Sequence, residues 1–184
     1  MRQAAAGLAH AAKGGVVHRD IKPANLLLGS DGIVKILDMG LARIENANAA
    51  DQQLTNTGAV MGTVDYMAPE QAADTRYADA RSDIYSLGCS LDRLLTAESM
   101  FDGDTVVKKI MAHMSAPIPS LTIKRPEVPA ELDRIFQKMV AKQPEARYQQ
   151  CAQPVADIET PRHSGTSTPF SGAGQTHRHP ELSN

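Results

Sequence analysis

The chain has 184 residues, 42% of them apolar, and a net charge of −2 at pH 7. That size suits one domain, or a domain with a tail, and the near-neutral, interspersed charge points away from nucleic acid and from an acidic membrane surface. With 4% aromatic residues and no Trp the core must be aliphatic, and two cysteines far apart in sequence, Cys89 and Cys151, exclude a disulfide framework and a paired-cysteine zinc site and suit a reducing cytoplasm.

Residues 3–12 read as an alanine-rich helix with Leu8 facing inward, ended by Gly14 and Gly15 through cheap positive φ. Val16 and Val17 read as a minimal strand. Two apolar runs around Gly-Ser-Asp-Gly, in "NLLLGSDGIVKIL", predict a β-hairpin. Residues 42–57 are rich in Asn, Ala, Asp, Gln and Thr without periodicity, and are expected to form a long loop. From Asp83 the pattern turns helical, with Ile84, Leu87, Leu91, Leu94 and Leu95 at three- and four-residue spacing. Cys89, inside that run, reads as a small buried hydrophobe. Asp104 is expected to cap a helix carrying Val106, Val107, Ile110, Met111 and Met114. "APIPSLTIKRPEVP" is punctuated by proline and expected to be extended or turn-like. Pro129 suits the first turn of a helix with Leu132, Ile135, Phe136, Met139 and Val140 on one face, and a last short helix runs from Val155 to Ile158. No apolar run approaches the roughly 20 residues of a membrane-spanning helix. After Thr160 the chain turns to Gly, Ser, Thr, Pro and His and cannot bury enough apolar surface to fold, so 161–184 is expected to be a disordered tail; His177 and His179 within it lack a preformed metal geometry.

Four motifs stand in order: "HRDIKPAN" at His18–Asn25, "DMG" at Asp38–Gly40, "GTVDYMAPE" at Gly62–Glu70 and "DIYSLG" at Asp83–Gly88. A lone His-Arg-Asp would be a weak signal. Four motifs joined by compatible elements form a specific one, and over about residues 3–158 the chain resembles the large lobe of a eukaryotic-type (Hanks-type) serine/threonine protein kinase. The resemblance implies an α+β fold, mainly α-helical, in which a short β-hairpin carries the catalytic and metal-binding loops. It implies a kinase large-lobe domain over residues 1–160. The implied reaction is phosphoryl transfer from Mg-ATP to Ser/Thr hydroxyls of protein substrates, with ATP and Mg²⁺ as cofactors and a cytoplasmic location.

Phosphoryl transfer asks a protein for positioning and charge neutralisation more than for covalent chemistry. By the resemblance, Asp20 orients the acceptor hydroxyl and takes its proton, and Lys22 sets a positive charge beside the transferred group; lysine there resembles the serine/threonine branch. Asn25 and Asp38 offer the hard oxygens that Mg²⁺ prefers, and the hairpin folds the two onto one ion. Leu27 resembles the aliphatic floor under adenine. Arg19 resembles the partner of a phosphothreonine in the loop, Thr57 being preferred over Thr55 because it is nearer the Gly62-Thr63 element. Gly62 and Thr63 resemble the peptide-docking turn, with Thr63 bonding Asp20 and Lys22. Glu70 and Arg147 resemble a buried ion pair, and Asp83 the acid that holds the backbone around His18 and Arg19.

The chain departs from the family pattern in places. Met39 replaces Phe in the metal-binding triplet, where a flexible apolar side chain can fill the same packing site. Asp92 stands in an apolar helical run, and "TAESMF" where a Thr-Gly turn and prolines are usual. The 184 residues hold no G-x-G-x-x-G loop and no V-A-I-K-like strand. The chain is therefore expected to be a large-lobe fragment lacking the small lobe, and inactive by itself. The competing reading is a non-catalytic, kinase-like interaction module that binds substrates or regulators. A scaffold has no physical need of Asp20, Lys22, Asn25 and Asp38 together, which favours the enzyme.

Overall fold

The computed structural model describes residues 1–37 and 62–159. The 42–57 loop, Asp38, Met39, Thr55, Thr57 and the 161–184 tail lie outside those residues. Helix α1 (Arg2–Lys13) buries Ala4, Ala5 and Leu8. Gly14 closes it at φ −85°, and Gly15 takes the left-handed φ of +74°. Val16 and Val17 form no strand. Their neighbourhood has other uses for its amides: Val16 donates to Ala11 O at 3.1 Å, and the amides of His18 and Arg19 go to Asp83.

Strands β1 (Leu26–Leu28) and β2 (Val34–Ile36) form the expected antiparallel hairpin, Leu26 opposite Ile36, Leu27 opposite Lys35 and Leu28 opposite Val34. Gly32 turns it at φ +75°. Gln3 of α1 clamps the turn, donating to Gly32 O at 3.0 Å and accepting from Val34 N at 2.7 Å. The remaining helices are α2 (Pro69–Ala73), α3 (Ala80–Thr96), α4 (Val106–Ser115), α5 (Leu121–Lys124), α6 (Ala130–Met139) and α7 (Gln153–Glu159). The described residues are thus mostly helical with one small two-stranded sheet.

Helix α3 is the axis of the core. It is buried without a break from Ser82 to Asp92 and packs against α1, α5 and α6. Its serines satisfy themselves inside, Ser86 donating to Ser82 O and to Tyr66 O, and Ser90 to Ser86 O. Gly88 lets α6 come close: a Cβ there would lie 2.5 Å from Val140 Cγ1 and 3.1 Å from Met139 Cβ. The helix begins before Asp83, because Asp79 accepts the Arg81 amide and caps it. It ends with Ala97 at φ +61°.

Several local expectations are corrected. Leu94 is exposed, not core. Thr105 rather than Asp104 caps α4, its side chain accepting from Lys108 N, while Asp104 pairs with Lys108 on the surface. In α4 the apolar residues do not all turn inward: Val107 is 69% exposed and Met111 and Met114 also face out, whereas Lys109 is 8% and His113 1% exposed. Polar partners waiting inside decide this. Tyr85 OH meets His113 Nδ1 at 2.8 Å, Phe101 stands edge-on to the ring, and Lys109 pairs with Asp65. Burial pushes the His113 pKa down to about 4, which suits a neutral hydrogen-bonding ring. The proline-rich stretch holds a turn of helix, α5, because Asp133 of α6 accepts from Leu121 N at 2.7 Å and Ser120 Oγ at 2.9 Å. Pro129 caps α6 and does not enter it.

Candidate active site

The loop from His18 to Asn25 is shaped by sequence rules that need few contacts. Lys22 precedes a proline and is extended, at φ −156° and ψ 162°. Pro23 then opens a single 3-10 turn, Pro23–Asn25, that turns Asn25 back toward Asp20. Asn25 Nδ2 donates to Asp20 O at 2.8 Å and to Asp20 Oδ2 at 3.3 Å. Lys22 Nζ meets Asp20 Oδ2 at 3.0 Å and Thr63 Oγ1 at 3.2 Å. The structure so brings Asp20, Lys22, Asn25 and Thr63 into one hydrogen-bonded cluster. Thr63 reaches Lys22 but makes no hydrogen bond to Asp20 itself. Gly62 is exposed beside it.

One residue of this loop is held in an unfavourable conformation. Arg19 has φ +67°, a left-handed angle that a side chain resists. The loop is over-determined around it. Asp83 Oδ2 accepts from His18 N and Oδ1 from Arg19 N, both at 2.8 Å. Gln71 Nε2 donates to Arg19 O at 3.0 Å. His18 Nδ1 accepts from Asp20 N at 3.3 Å, which fixes the tautomer, so Nε2 donates to Leu37 O at 2.8 Å. Burial pushes the Asp83 carboxyl above the usual aspartate range, against the pull of the two amides. Arg19 Nε is buried and makes no hydrogen bond among the described residues.

Glu70 and Arg147 are a bidentate pair, Nη1–Oε1 2.7 Å and Nη2–Oε2 2.8 Å. The other guanidinium donors reach Ala141 O, Arg81 O and Lys142 O, so all five are used, and Ser82 Oγ donates to Glu70 Oε1 at 2.7 Å. Burial would raise the Glu70 carboxyl, but the bonds from Arg147 and Ser82 outweigh it and hold the group below the usual glutamate range. Leu27 is half exposed on the hairpin, beside exposed Leu28.

Two functional-looking contacts had no place among the sequence expectations. Gln71 has a readable local signal: it stands third in a helix opened by Ala68-Pro69, and Oε1 reaches back to Ala68 N at 3.3 Å, the glutamine half of a capping box. Its second job, on Arg19 O, has no such signal. Asp65 and Lys109 pair across 44 positions and were not singled out at all.

The donor set fits a hard cation in part. Both side-chain hydrogen bonds of Asn25 use Nδ2, which leaves Oδ1 as the oxygen for a metal. The expected second ligand, Asp38, lies outside the described residues. Leu37, just before it, donates from N to Asn25 O at 2.9 Å. Among the described residues no group of three or more His, Cys, Asp or Glu could hold a metal, and no helix is long and apolar enough to cross a membrane.

The chain is similar to several known proteins. A serine/threonine-protein kinase PknB of Mycobacterium leprae is 43% identical over 145 residues, which is 78% of this chain and 22% of that protein. A probable serine/threonine-protein kinase of Streptomyces coelicolor, SCO3848, is 41% identical over 152 residues, 83% of this chain and 22% of the relative. A serine/threonine-protein kinase PrkC of Bacillus subtilis is 39% identical over 160 residues, 87% of this chain and 24% of the relative. The chain thus spans between a fifth and a quarter of the length of these relatives. The sequence model of the protein kinase domain matches residues 1–156, and with the greater part of its length inside that match the chain belongs to the protein kinase domain family, its relatives being serine/threonine kinases.

Proposed function

We propose that this chain carries the acceptor-activating half of a serine/threonine protein kinase, with Asp20 as the group that orients a Ser or Thr hydroxyl and takes its proton. One observation carries the reading: Lys22 Nζ stands between Asp20 Oδ2 and Thr63 Oγ1, at 3.0 and 3.2 Å, on a loop whose strained Arg19 is fixed by Asp83. Asn25 and Lys22 both hold Asp20 Oδ2, so the carboxylate meets an incoming hydroxyl with little reorganisation. Lys22 then lies where negative charge builds on the phosphoryl group. Thr63 sets the lysine and, with Gly62, borders the acceptor peptide.

Mg-ATP supplies the activated phosphoryl group and the metal charge that offsets it. Asn25 Oδ1 and Asp38 are the proposed Mg²⁺ ligands, a pairing supported by the Leu37–Asn25 hydrogen bond. Leu27 is the proposed apolar floor for adenine, in keeping with its exposure. Arg19, with an unbonded Nε, is the proposed receiver of a phosphate on Thr57 or Thr55. Protein substrates with Ser/Thr acceptors are the partners, and the cytoplasm, where ATP is at hand and the buried thiols of Cys89 and Cys151 stay reduced, is the compartment.

The test joins the chain to a small lobe bearing a glycine-rich loop and a strand lysine, and follows phosphate transfer to an acceptor protein. Asp20→Asn should reduce transfer about 10²–10⁴-fold while leaving nucleotide affinity nearly unchanged. Unchanged turnover in that variant removes Asp20 from the chemistry.

A further inference from the structure

A second polar link holds the turn that carries Thr63, and the chemistry above makes no use of it. Asp65, two residues after Thr63, forms an ion pair with Lys109 of α4, and both side chains are largely out of water. The other oxygen of Asp65 accepts from Ser99 Oγ at 3.1 Å. Gly103 lies against the lysine stem: a Cβ there would come within 2.9 Å of Lys109 Cγ, so the loop before α4 closes over the lysine only because this position is bare. The ion pair therefore sits in a fitted slot.

The turn between Thr63 and Met67 is stiff. Tyr66 N donates to Thr63 O at 3.2 Å and Met67 N to Val64 O at 3.1 Å, and Ser86 of α3 donates to Tyr66 O at 2.7 Å. One end of this turn presents Thr63 to Lys22, and Asp65 fixes its middle. A shift at Asp65 is passed to Thr63, two residues away, because the Tyr66 N–Thr63 O and Met67 N–Val64 O hydrogen bonds both enclose Asp65.

We infer that Lys109 is a positioning residue for the acceptor turn: through Asp65 it sets where Thr63 meets Lys22 beside Asp20. The consequence for catalysis rests on the kinase reading; the mechanical link does not. A pair that served stability alone would lower the melting temperature when broken and leave the Lys22 environment as it was in the folded fraction.

The experiment uses the full chain with ¹³C-labelled lysine, the Lys22 side-chain signal assigned through Lys22→Arg. Lys109→Met keeps the stem and removes the charge; it should move the Lys22 signal and speed amide exchange over residues 63–67 by about tenfold relative to α3. The exchanged pair, Asp65→Lys with Lys109→Asp, should return both readouts toward the parent. If Lys109→Met fails to fold, Ser99→Ala removes one bond to Asp65 more gently and should move both readouts the same way by less. An unmoved Lys22 signal in a folded variant, with exchange over 63–67 rising no more than in α3, overturns the role of Lys109. Neither readout needs nucleotide, so that failure is distinct from the failure of Asp20→Asn to lower transfer. In the joined two-lobe protein, Lys109→Met should raise KM for the acceptor protein and leave KM for ATP unchanged.

Discussion

Asp83 and Asp92 stand on one helix, about two and a half turns apart, and both are sealed from water, at 2% and 0% exposure. Their surroundings differ sharply. Asp83 lies in the first turn of α3, where the helix dipole favours an anion, and each of its oxygens accepts a backbone amide at 2.8 Å. Asp92 lies near the other end, where the dipole opposes it. Among the described residues its Oδ2 has only Lys124 Nζ, at 3.5 Å, and its Oδ1 has no hydrogen-bond partner. Burial pushes both carboxyls up. One buried acid thus holds a strained loop in place, while the other carries its desolvation with little return. Burial alone does not mark a working carboxylate; the geometry of its acceptor bonds does.

Breaking the Asp83 end should have the largest effect. Asp83→Ala removes the acceptors of the His18 and Arg19 amides and frees Arg19 to leave φ +67°. Two hydrogen bonds to a charged group are worth about 3–5 kcal/mol together, a fall in Tm of roughly 10 °C for a chain of this size. Urea titration measures it, and a loss below about 1 kcal/mol would show that Gln71 and His18 fix the loop without Asp83. In the joined protein the same variant should lose transfer along with stability.

Between the two acids, Gly88 tests the apolar middle of the helix. Alanine is the better helix former by about 1 kcal/mol, but its Cβ would meet Val140 Cγ1 at 2.5 Å and Met139 Cβ at 3.1 Å. Overpacking of this kind costs about 1–3 kcal/mol, so Gly88→Ala should destabilise on balance, by less than Asp83→Ala. A rise in Tm would mean that α6 moves aside freely.

What was legible in the sequence follows the range of the interactions. The hairpin and the helices α1, α3 and α6 were readable because alternation and three- to four-residue spacing are local. The buried face of α4 was not legible because Lys109 and His113 find their partners, Asp65, Tyr85 and Phe101, on other segments, and apolar spacing does not see a polar slot. Val16 and Val17 looked like a strand because β-propensity ignores that the neighbouring amides are taken by Ala11 and Asp83. The cluster of Asp20, Lys22, Asn25 and Thr63 was anticipated from a motif; its rigid support by Gln71 was not.

The Asp92 end should give the smallest effect and one of opposite sign. Asp92→Asn keeps the shape and exchanges one unsatisfied buried atom for another, so mainly the charge changes. A carboxyl raised above its unfolded value adds stability below the ordinary aspartate pKa of about 3.9, and that contribution is lost as pH rises through the folded value. At pH 7 the Asp92 carboxyl is therefore a burden that Lys124, itself partly exposed, offsets only in part. Asp92→Asn should then be the more stable form at pH 7 by about 1 kcal/mol, and the advantage should fade as pH drops toward 4. Glu70 titrates in the opposite sense, since its depressed carboxyl stabilises the fold at neutral pH and ceases to do so in acid. That limb is common to both proteins and cancels in their difference. Urea melts of the pair from pH 4 to pH 8 isolate the Asp92 contribution. A difference that does not vary with pH, or a less stable Asp92→Asn at pH 7, would mean that the Lys124 contact suffices and that the two ends of α3 are less unlike than their hydrogen bonds make them.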